Sequence, residues 1–295
     1  MYGGIEAGGT KFVCVAGVGP DDIRLTRRIA VTDPASTIGA CLAVFREAAA
    51  DRLEVEALGI ASFGPVELRP EHPAYGCITT TPKAGWSGTD VVGPFREAFG
   101  VPIGFDTDVN GAALAEGRWG AAVGLRSFVY LTLGTGIGGA AVLDGAVVHG
   151  LVHPEMGHVP VPRRSGDTFA GVCPFHGDCL EGMASGPSIA ARFGGPAETL
   201  DREAQAAAGD IAAFYLAAAL RGIVFTLAPE RIVLGGGLSQ VPGLVLRVRR
   251  ALAAQLANYP GLPEHQDARF VVAAGLGQQA GPAGALLLAE RAAAS

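Results

Sequence analysis

The sequence predicts an α/β protein made of two related halves, each with a mixed sheet. Three observations carry this. Short apolar or β-branched runs alternate with helical stretches along the whole chain. A pattern of strand, glycine-rich turn holding a threonine, strand, turn, strand begins at Gly3 and begins again at Phe128. Each repeat opens on tight connections, which pair strands antiparallel, and then passes into strand–helix alternation, which pairs them parallel.

In chain order, the first strand is read at 3–6, followed by the turn Ala7-Gly8-Gly9-Thr10 and strands at 11–17 and 23–31. Ser36 or Thr37 is the expected cap of a helix whose apolar spacing runs Ile38, Cys41, Leu42, Phe45, Ala49. A short buried strand at 58–61 ends in Ser62-Phe63-Gly64-Pro65, and helices are expected at 90–99 and 109–119 around a strand at 102–105. The second half starts with a strand at 128–133, the turn Gly134-Thr135-Gly136-Ile137-Gly138-Gly139, and a returning strand at 140–143. Asp144-Gly145 then signals a hairpin into a strand at 146–149. Residues 152–185 are rich in Pro, Gly and Arg and read as loop. A long alanine-rich helix at 202–227, a strand at 231–234 running into Gly235-Gly236-Gly237, a helix at 242–258, a strand at 269–273 and a helix at 282–293 complete the chain. The expected domains are 1–115 and 116–280, the second carrying a loop at 155–181, with the last helix, about 281–295, packing back on the first.

The net charge of −6, with basic residues scattered, argues against a nucleic-acid partner. No apolar run of membrane-spanning length is free of Gly, Pro or charged interruptions, and Met1-Tyr2-Gly3-Gly4-Ile5-Glu6 does not read as a signal peptide. A cytoplasmic enzyme without a membrane partner is the expectation. The five cysteines, an odd number, do not suit a disulfide framework, and Cys14, Cys41 and Cys77 read as small core residues. Arginine supplies all but two of the 22 Lys and Arg residues; Lys11 and Lys83 are the exceptions, and both lie in motif-like stretches. Codon usage explains the bias, but an ammonium and a guanidinium are not interchangeable in a tight site.

Three glycine-rich turns follow strands: Gly8-Gly9-Thr10, Gly134-Thr135-Gly136 and Gly235-Gly236-Gly237. Bare backbone there lets N–H groups reach phosphate oxygens, and in the first two a threonine can add its hydroxyl. Each alone is equally readable as a hairpin turn, and none matches a Walker or dinucleotide fingerprint. Asp106-Thr107-Asp108-Val109-Asn110 follows a strand and opens a helix. Asp108 can accept the proton of an acceptor hydroxyl in phosphoryl transfer, with Asn110 holding another hydroxyl. The alternative is that Asp106 and Asp108 cap the helix, Asp106 being the better candidate.

His158, Cys173, His176 and Cys179 form His-x14-Cys-x2-His-x2-Cys, a ligand set for tetrahedral Zn²⁺ with no open position, hence structural. A Cys173/Cys179 redox pair or unliganded loop residues are the alternatives. Glu155 and Glu181 flank the cluster and can accept hydrogen bonds from a polyol, or stand as solvated loop charges.

Taken together, Gly4-Ile5-Glu6-Ala7-Gly8-Gly9-Thr10-Lys11, Asp106 to Asn110, Leu133 to Gly139, Glu155-Met156-Gly157-His158, Cys173 to Glu181 and Gly235 to Ser239 resemble the ROK family of repressors and sugar kinases. The resemblance covers essentially the whole chain. It implies a duplicated actin/hexokinase-like (ribonuclease H-like) fold, with ATP and a hexose in a cleft between two domains, Mg²⁺ accompanying ATP, and a cytoplasmic homodimer. It implies Asp108 as catalytic base, with Asn110, Glu155, His158, Glu181, Gly64 and Pro65 on the sugar side. On the ATP side it implies Gly8, Gly9, Thr10, Lys11, Thr135, Gly136, Pro187, Gly235, Gly236, Gly237 and Leu238. The segment Cys-Pro-Phe-His-Gly-Asp-Cys-Leu-Glu-Gly and the stretch Thr81-Pro82-Lys83-Ala84-Gly85-Trp86 are similar to the fructokinase branch, so phosphorylation of D-fructose at its 6-hydroxyl is the expected activity. A kinase for mannose, glucose or an amino sugar is the alternative. A regulator of the family needs a DNA-binding segment ahead of the first phosphate turn, which here opens at Gly8, and is not expected. Gly111 departs from the family, where alanine is commoner, and predicts a looser start to its helix.

Overall fold

In the computed structural model, which describes residues Met1–Ser295, the chain forms two units. Unit 1 comprises Met1–Gly120, Val148–His153 and Gln278–Ser295, and unit 2 comprises Ala121–Val147 and Pro154–Gly277. A division in chain order at 115/116 therefore falls short of the crossing after Gly120, and it assigns Val148–His153 to the wrong half. That segment belongs to unit 1 because His149 and His153 are hydrogen-bonded there, to Asp106 and to the Val66 N–H.

The sheet of unit 1 holds β1 (Tyr2–Ala7), β2 (Lys11–Gly19), β3 (Asp22–Ala30), β4 (Ala57–Ser62) and β5 (Ile103–Thr107) in the order β3-β2-β1-β4-β5. β2 runs antiparallel to both its neighbours, whereas β1, β4 and β5 are parallel. Alternation along β2 splits two cores. Phe12 and Cys14 face the cluster that includes Cys41, Phe45 and Ile60, while Val13 and Val15 meet Leu286 on the opposite face. β4 is buried at all six positions, as a parallel strand covered on both faces must be.

On the first face lies α1 (Pro34–Ala50), whose cap is Asp33 rather than Ser36 or Thr37. The Asp33 carboxylate accepts from the Ser36 N–H at 2.9 Å, and Pro34 fills a first-turn position where a missing N–H costs nothing. α2 (Gly93–Phe99) starts later than the spacing suggested, because Asp90 Oδ1 accepts from the N–H groups of Val92 and Gly93 at 2.9 and 2.7 Å and holds that stretch as a turn. The opposite face carries the C-terminal helix, Ala280–Ala293, in backbone contact with the sheet. Gly59 and Gly104 permit this: a Cβ on either would run into the carbonyl of Ala285 or Leu288. α3 (Asp108–Trp119) meets the same helix through Gly111 and Gly284, so Gly111 tightens the packing instead of loosening the helix start. Trp86, fully buried, closes the first core with ring centroids 5.5 Å from both Phe12 and Phe63.

Unit 2 repeats the plan. β6 (Phe128–Leu133), β7 (Ile137–Leu143), β8 (Ala146–Val147), β9 (Arg231–Gly235) and β10 (Val271–Ala273) lie in the order β10-β9-β6-β7-β8. Taken from β8, this is the strand order of unit 1, with the same parallel and antiparallel pairings. β8 ends at Val147 rather than 149 because the chain leaves for unit 1 at Val148. Between β8 and β9 come a 3₁₀ turn (Met156–His158), α4 (Leu180–Ala184), α5 (Gly186–Phe193) and α6 (Arg202–Leu227). α6 is long and apolar enough to cross a membrane by composition, but 56% of its most apolar window is buried inside the unit. α7 (Leu244–Leu256) buries Leu244, Val248, Leu252 and Leu256, one residue per turn on one face.

Candidate active site and metal loop

In unit 1 the candidate residues gather at the carboxyl ends of the parallel strands, where open α/β sheets bind ligands. β1 ends at Ala7 and gives way to Gly8, Gly9 and Thr10; the Gly8 N–H donates to the Lys11 carbonyl at 3.1 Å, which folds the turn back on itself. β4 ends at Ser62 and leads to Gly64 and Pro65, joined by a cis peptide bond. The next N–H, of Val66, donates to His153 Nε2 at 3.1 Å. β5 ends at Thr107 and leads directly into α3.

That junction assigns its residues differently from a capping pair of aspartates. Thr107 is the cap, its Oγ1 accepting from the Asn110 N–H at 3.1 Å. Asp106 is buried and caps nothing. Its Oδ1 accepts from the Thr107 N–H at 2.8 Å and from Asn110 Nδ2 at 2.7 Å, and its Oδ2 lies 3.0 Å from His149 Nε2. The Asp106 carboxylate beside His149 raises the imidazole pKa above its ordinary value. Asp108 occupies the first turn of α3, half-buried, with Oδ1 accepting from the Val109 N–H at 2.9 Å.

In unit 2 the turn after β6 holds Gly134, Thr135 and Gly136, closed by a 2.9 Å bond from the Gly134 N–H to the Gly136 carbonyl. The Gly186 N–H, at the start of α5, donates to the Gly134 carbonyl at 2.8 Å, which sets Pro187 beside this turn in the chain. Glu181 is tied to the same turn, its Oε2 accepting from the Ile137 N–H at 2.9 Å. Glu155 keeps solvent contact, yet the protein packed around its carboxyl, followed by the charge of Glu181, pushes its pKa up to about 7. After β9, Gly236 has φ +80°, and a Cβ there would meet the Leu133 backbone, so β6 and this turn can approach only through glycine. Leu238 joins Ile189, Ala208, Ala212 and Leu244 around a small apolar hollow.

The Cys/His cluster is assembled. The ligand atoms of His158, Cys173, His176 and Cys179 all lie within 4.8 Å of one another. Cys173 Sγ is 3.7 Å from Nδ1 of both histidines, and Cys179 Sγ is 3.6 Å from His158 Nδ1. Tetrahedral zinc with ordinary Zn–S and Zn–N bonds has sulfur–nitrogen edges of about 3.6 Å, so the donor set and its dimensions fit the ion. The loop between the ligands is braced independently. Buried Arg192 pairs with Asp167 at 2.8 Å and stacks over Phe169, while Arg163 spans to Asp178 at 2.9 Å.

Two contributors lay outside the motifs. His149 and His153 reach the strand ends of unit 1, and only the four-residue spacing of two histidines just ahead of Glu155 hinted at them. Lys83 Nζ donates to the Gly9 carbonyl at 2.5 Å, so the chain's two lysines meet at one turn.

The ROK family profile matches residues 2–292. The chain is 44% identical to a fructokinase of Zymomonas mobilis over 98% of its own length and 96% of that protein's. It is 43% identical to a fructokinase of Lactococcus lactis, covering 89% and 87% of the two chains. Among solved structures, a ROK hexokinase from Thermus thermophilus superposes with a TM-score of 0.77 at 27% identity, over 98% of each chain.

Proposed function

The chain belongs to the ROK family, and from that premise we propose that it is an ATP-dependent fructokinase, moving the γ-phosphate of MgATP to the 6-hydroxyl of D-fructose. The observation that carries this reading is Asp108, a carboxylate at the end of a parallel strand and the head of a helix, in a chain akin over nearly its full length to fructokinases.

Asp108 takes the proton of the 6-hydroxyl as that oxygen attacks phosphorus. Asn110, Glu155 and Glu181 orient the sugar through its remaining hydroxyls, and Gly64-Pro65 and His158 border it. A substrate lacking one of these hydroxyls would leave a polar group unpaired, which is the source of selectivity. Gly8, Gly9, Thr10 and Lys11 in one unit, and Thr135, Gly136 and Gly235 to Gly237 in the other, offer N–H and hydroxyl donors to phosphate oxygens, with Pro187 and Leu238 against the nucleoside. Mg²⁺ enters with ATP and neutralises charge on its phosphates. Zinc, held by His158 Nδ1, Cys173, His176 and Cys179, has a structural role: it fixes the loop that carries Glu155 and Glu181 and takes no part in the transfer. Residence in the cytoplasm and a homodimer complete the reading by family likeness.

A coupled ADP-release assay over fructose, mannose, glucose and amino sugars tests it. Fructose is expected to have the highest kcat/KM; turnover of glucose with none of fructose would overturn the substrate assignment.

A further inference from the structure

We propose that Lys83 is a further catalytic residue: its ammonium, aimed at the first phosphate turn, binds the phosphoryl group in flight. The proposal rests on the sugar-kinase reading and adds a residue to it. Lysine is almost absent from this chain, two against 22 cationic residues of both kinds, and the two survivors converge on one turn from positions far apart in sequence. Lys11 closes the turn through its carbonyl. Lys83 reaches it through its side chain, donating to the Gly9 carbonyl.

The loop that delivers Lys83 is built rather than loose. The Lys83 N–H is within reach of Thr81 Oγ1 at 3.4 Å, and its carbonyl accepts from the Trp86 N–H at 3.1 Å. Trp86 is buried against Phe12 and Phe63 and donates its indole N–H to the Thr32 carbonyl at 3.2 Å. Those contacts fix the backbone, and the ammonium projects, half-exposed, over Gly9. An ammonium has three donors, and Gly9 takes one, leaving two for a ligand.

Position fits the task. In the sheet, β4 separates β1 from β5, so the Gly8–Thr10 turn and Asp108 stand two strand spacings apart, about 10 Å. That leaves room for an acceptor hydroxyl against Asp108 and a phosphoryl group approaching the turn. In the transfer the sugar oxygen bonds to phosphorus, the bond to the bridging oxygen of ADP breaks, and the hydroxyl proton passes to Asp108. Lys83 stays an ammonium throughout and donates N–H bonds to the equatorial oxygens, whose charge it stabilises. A compact ammonium with three rotatable donors suits this place, and a planar guanidinium with its fixed fork would reproduce that geometry only in part.

The test compares Lys83→Met, Lys83→Gln, Lys83→Arg and Lys83→Ala with wild type, on whichever hexose wild type turns over. Expected are a fall in kcat of at least ~100-fold for Lys83→Met and Lys83→Gln, hexose KM within about threefold, and an unchanged Tm. Lys83→Arg should retain partial activity, and methylammonium should restore at least ~10-fold to Lys83→Ala. A second measurement needs no turnover: wild type should bind MgADP more tightly with aluminium fluoride present, and Lys83→Met should lose that gain while binding MgADP alone as before. Lys83→Gln within threefold of wild type, or a loss of kcat matched by a fall in Tm with no rescue by amine, would overturn the proposal and reduce Lys83 to a brace for the turn. Wild type that turns over a hexose other than fructose would sink the substrate assignment and leave this comparison intact.

Discussion

The two units share a strand order and a pairing sense, yet they carry different chemistry on equivalent connections. In unit 1 the chain leaves the last strand of the sheet, β5, through Asp106, Thr107 and Asp108 into α3. In unit 2 the equivalent strand, β10, is followed by Ala274-Gly275-Leu276-Gly277, with no carboxylate at all. Conversely, the third and fourth strands are joined in unit 1 by α1 alone, and in unit 2 by the Cys/His loop and three helices. The glycine-rich turn between the first two strands, the tight hairpin into the third and a helix between the fourth and fifth are common to both. The duplicated sheet thus holds a glycine-rich turn in each copy, while the Asp108 junction and the Cys/His cluster each belong to the connections of one copy alone.

The strongest break in that comparison is Asp108→Asn. If the base resides in unit 1 alone, kcat should fall at least ~100-fold with the fold retained; near wild-type turnover in the ADP-release assay would place the base elsewhere. Next comes the metal. Elemental analysis should find about one Zn²⁺ per chain, and Cys179→Ser should abolish it. Hydrogen exchange should then quicken across residues 155–181 of unit 2 while amides of β1, β4 and β5 keep their protection. Equal loosening of both units would show that the zinc supports more than its own loop.

A smaller effect is expected at the brace of that loop. Asp167→Asn leaves Arg192, 7% exposed, without its anionic partner, at a cost of roughly 3 kcal/mol in urea unfolding near neutral pH. Arg192 holds the Asp167 carboxyl well below the usual carboxylate range, with Tyr215 adding a hydrogen bond. A depressed carboxylate stabilises the fold above its unfolded pKa, and that contribution disappears as pH falls through the folded one. The gap between wild type and variant should therefore hold at pH 6–8 and narrow below about pH 4. A gap independent of pH would mean that packing, not charge, holds Arg192. The smallest change expected is Asp33→Ala, which removes the cap of α1 in unit 1 and should lower stability by about 1 kcal/mol without altering kcat.

What could be read in advance follows the range of the forces involved. α6 was legible at Arg202–Leu227 because helix formers and a 3.6-residue period are local properties. The strand–glycine–strand repeat was legible for the same reason, and so was the Cys/His cluster, whose close spacing at one end brings its members together. Helix starts were less so. α2 begins at Gly93 and α1 is capped by Asp33 because particular carboxylates captured particular N–H groups, a choice among several nearby acceptors that spacing does not make.

From local pattern alone came the α/β class, the duplicated sheet, the glycine-rich turns, Asp108 at its strand–helix junction and the grouping of His158, Cys173, His176 and Cys179. Only the tertiary structure decided that Asp106 serves Asn110 and His149 instead of capping α3, and that Val148–His153 returns to unit 1. It likewise brought Lys83 to the turn that Lys11 closes and set Gly111 against the C-terminal helix. Apart from the Asp106–Asn110 bond, each of these is a contact between residues distant in the chain. Such contacts depend on the packing of the apolar faces, which sets which polar groups come within reach of one another.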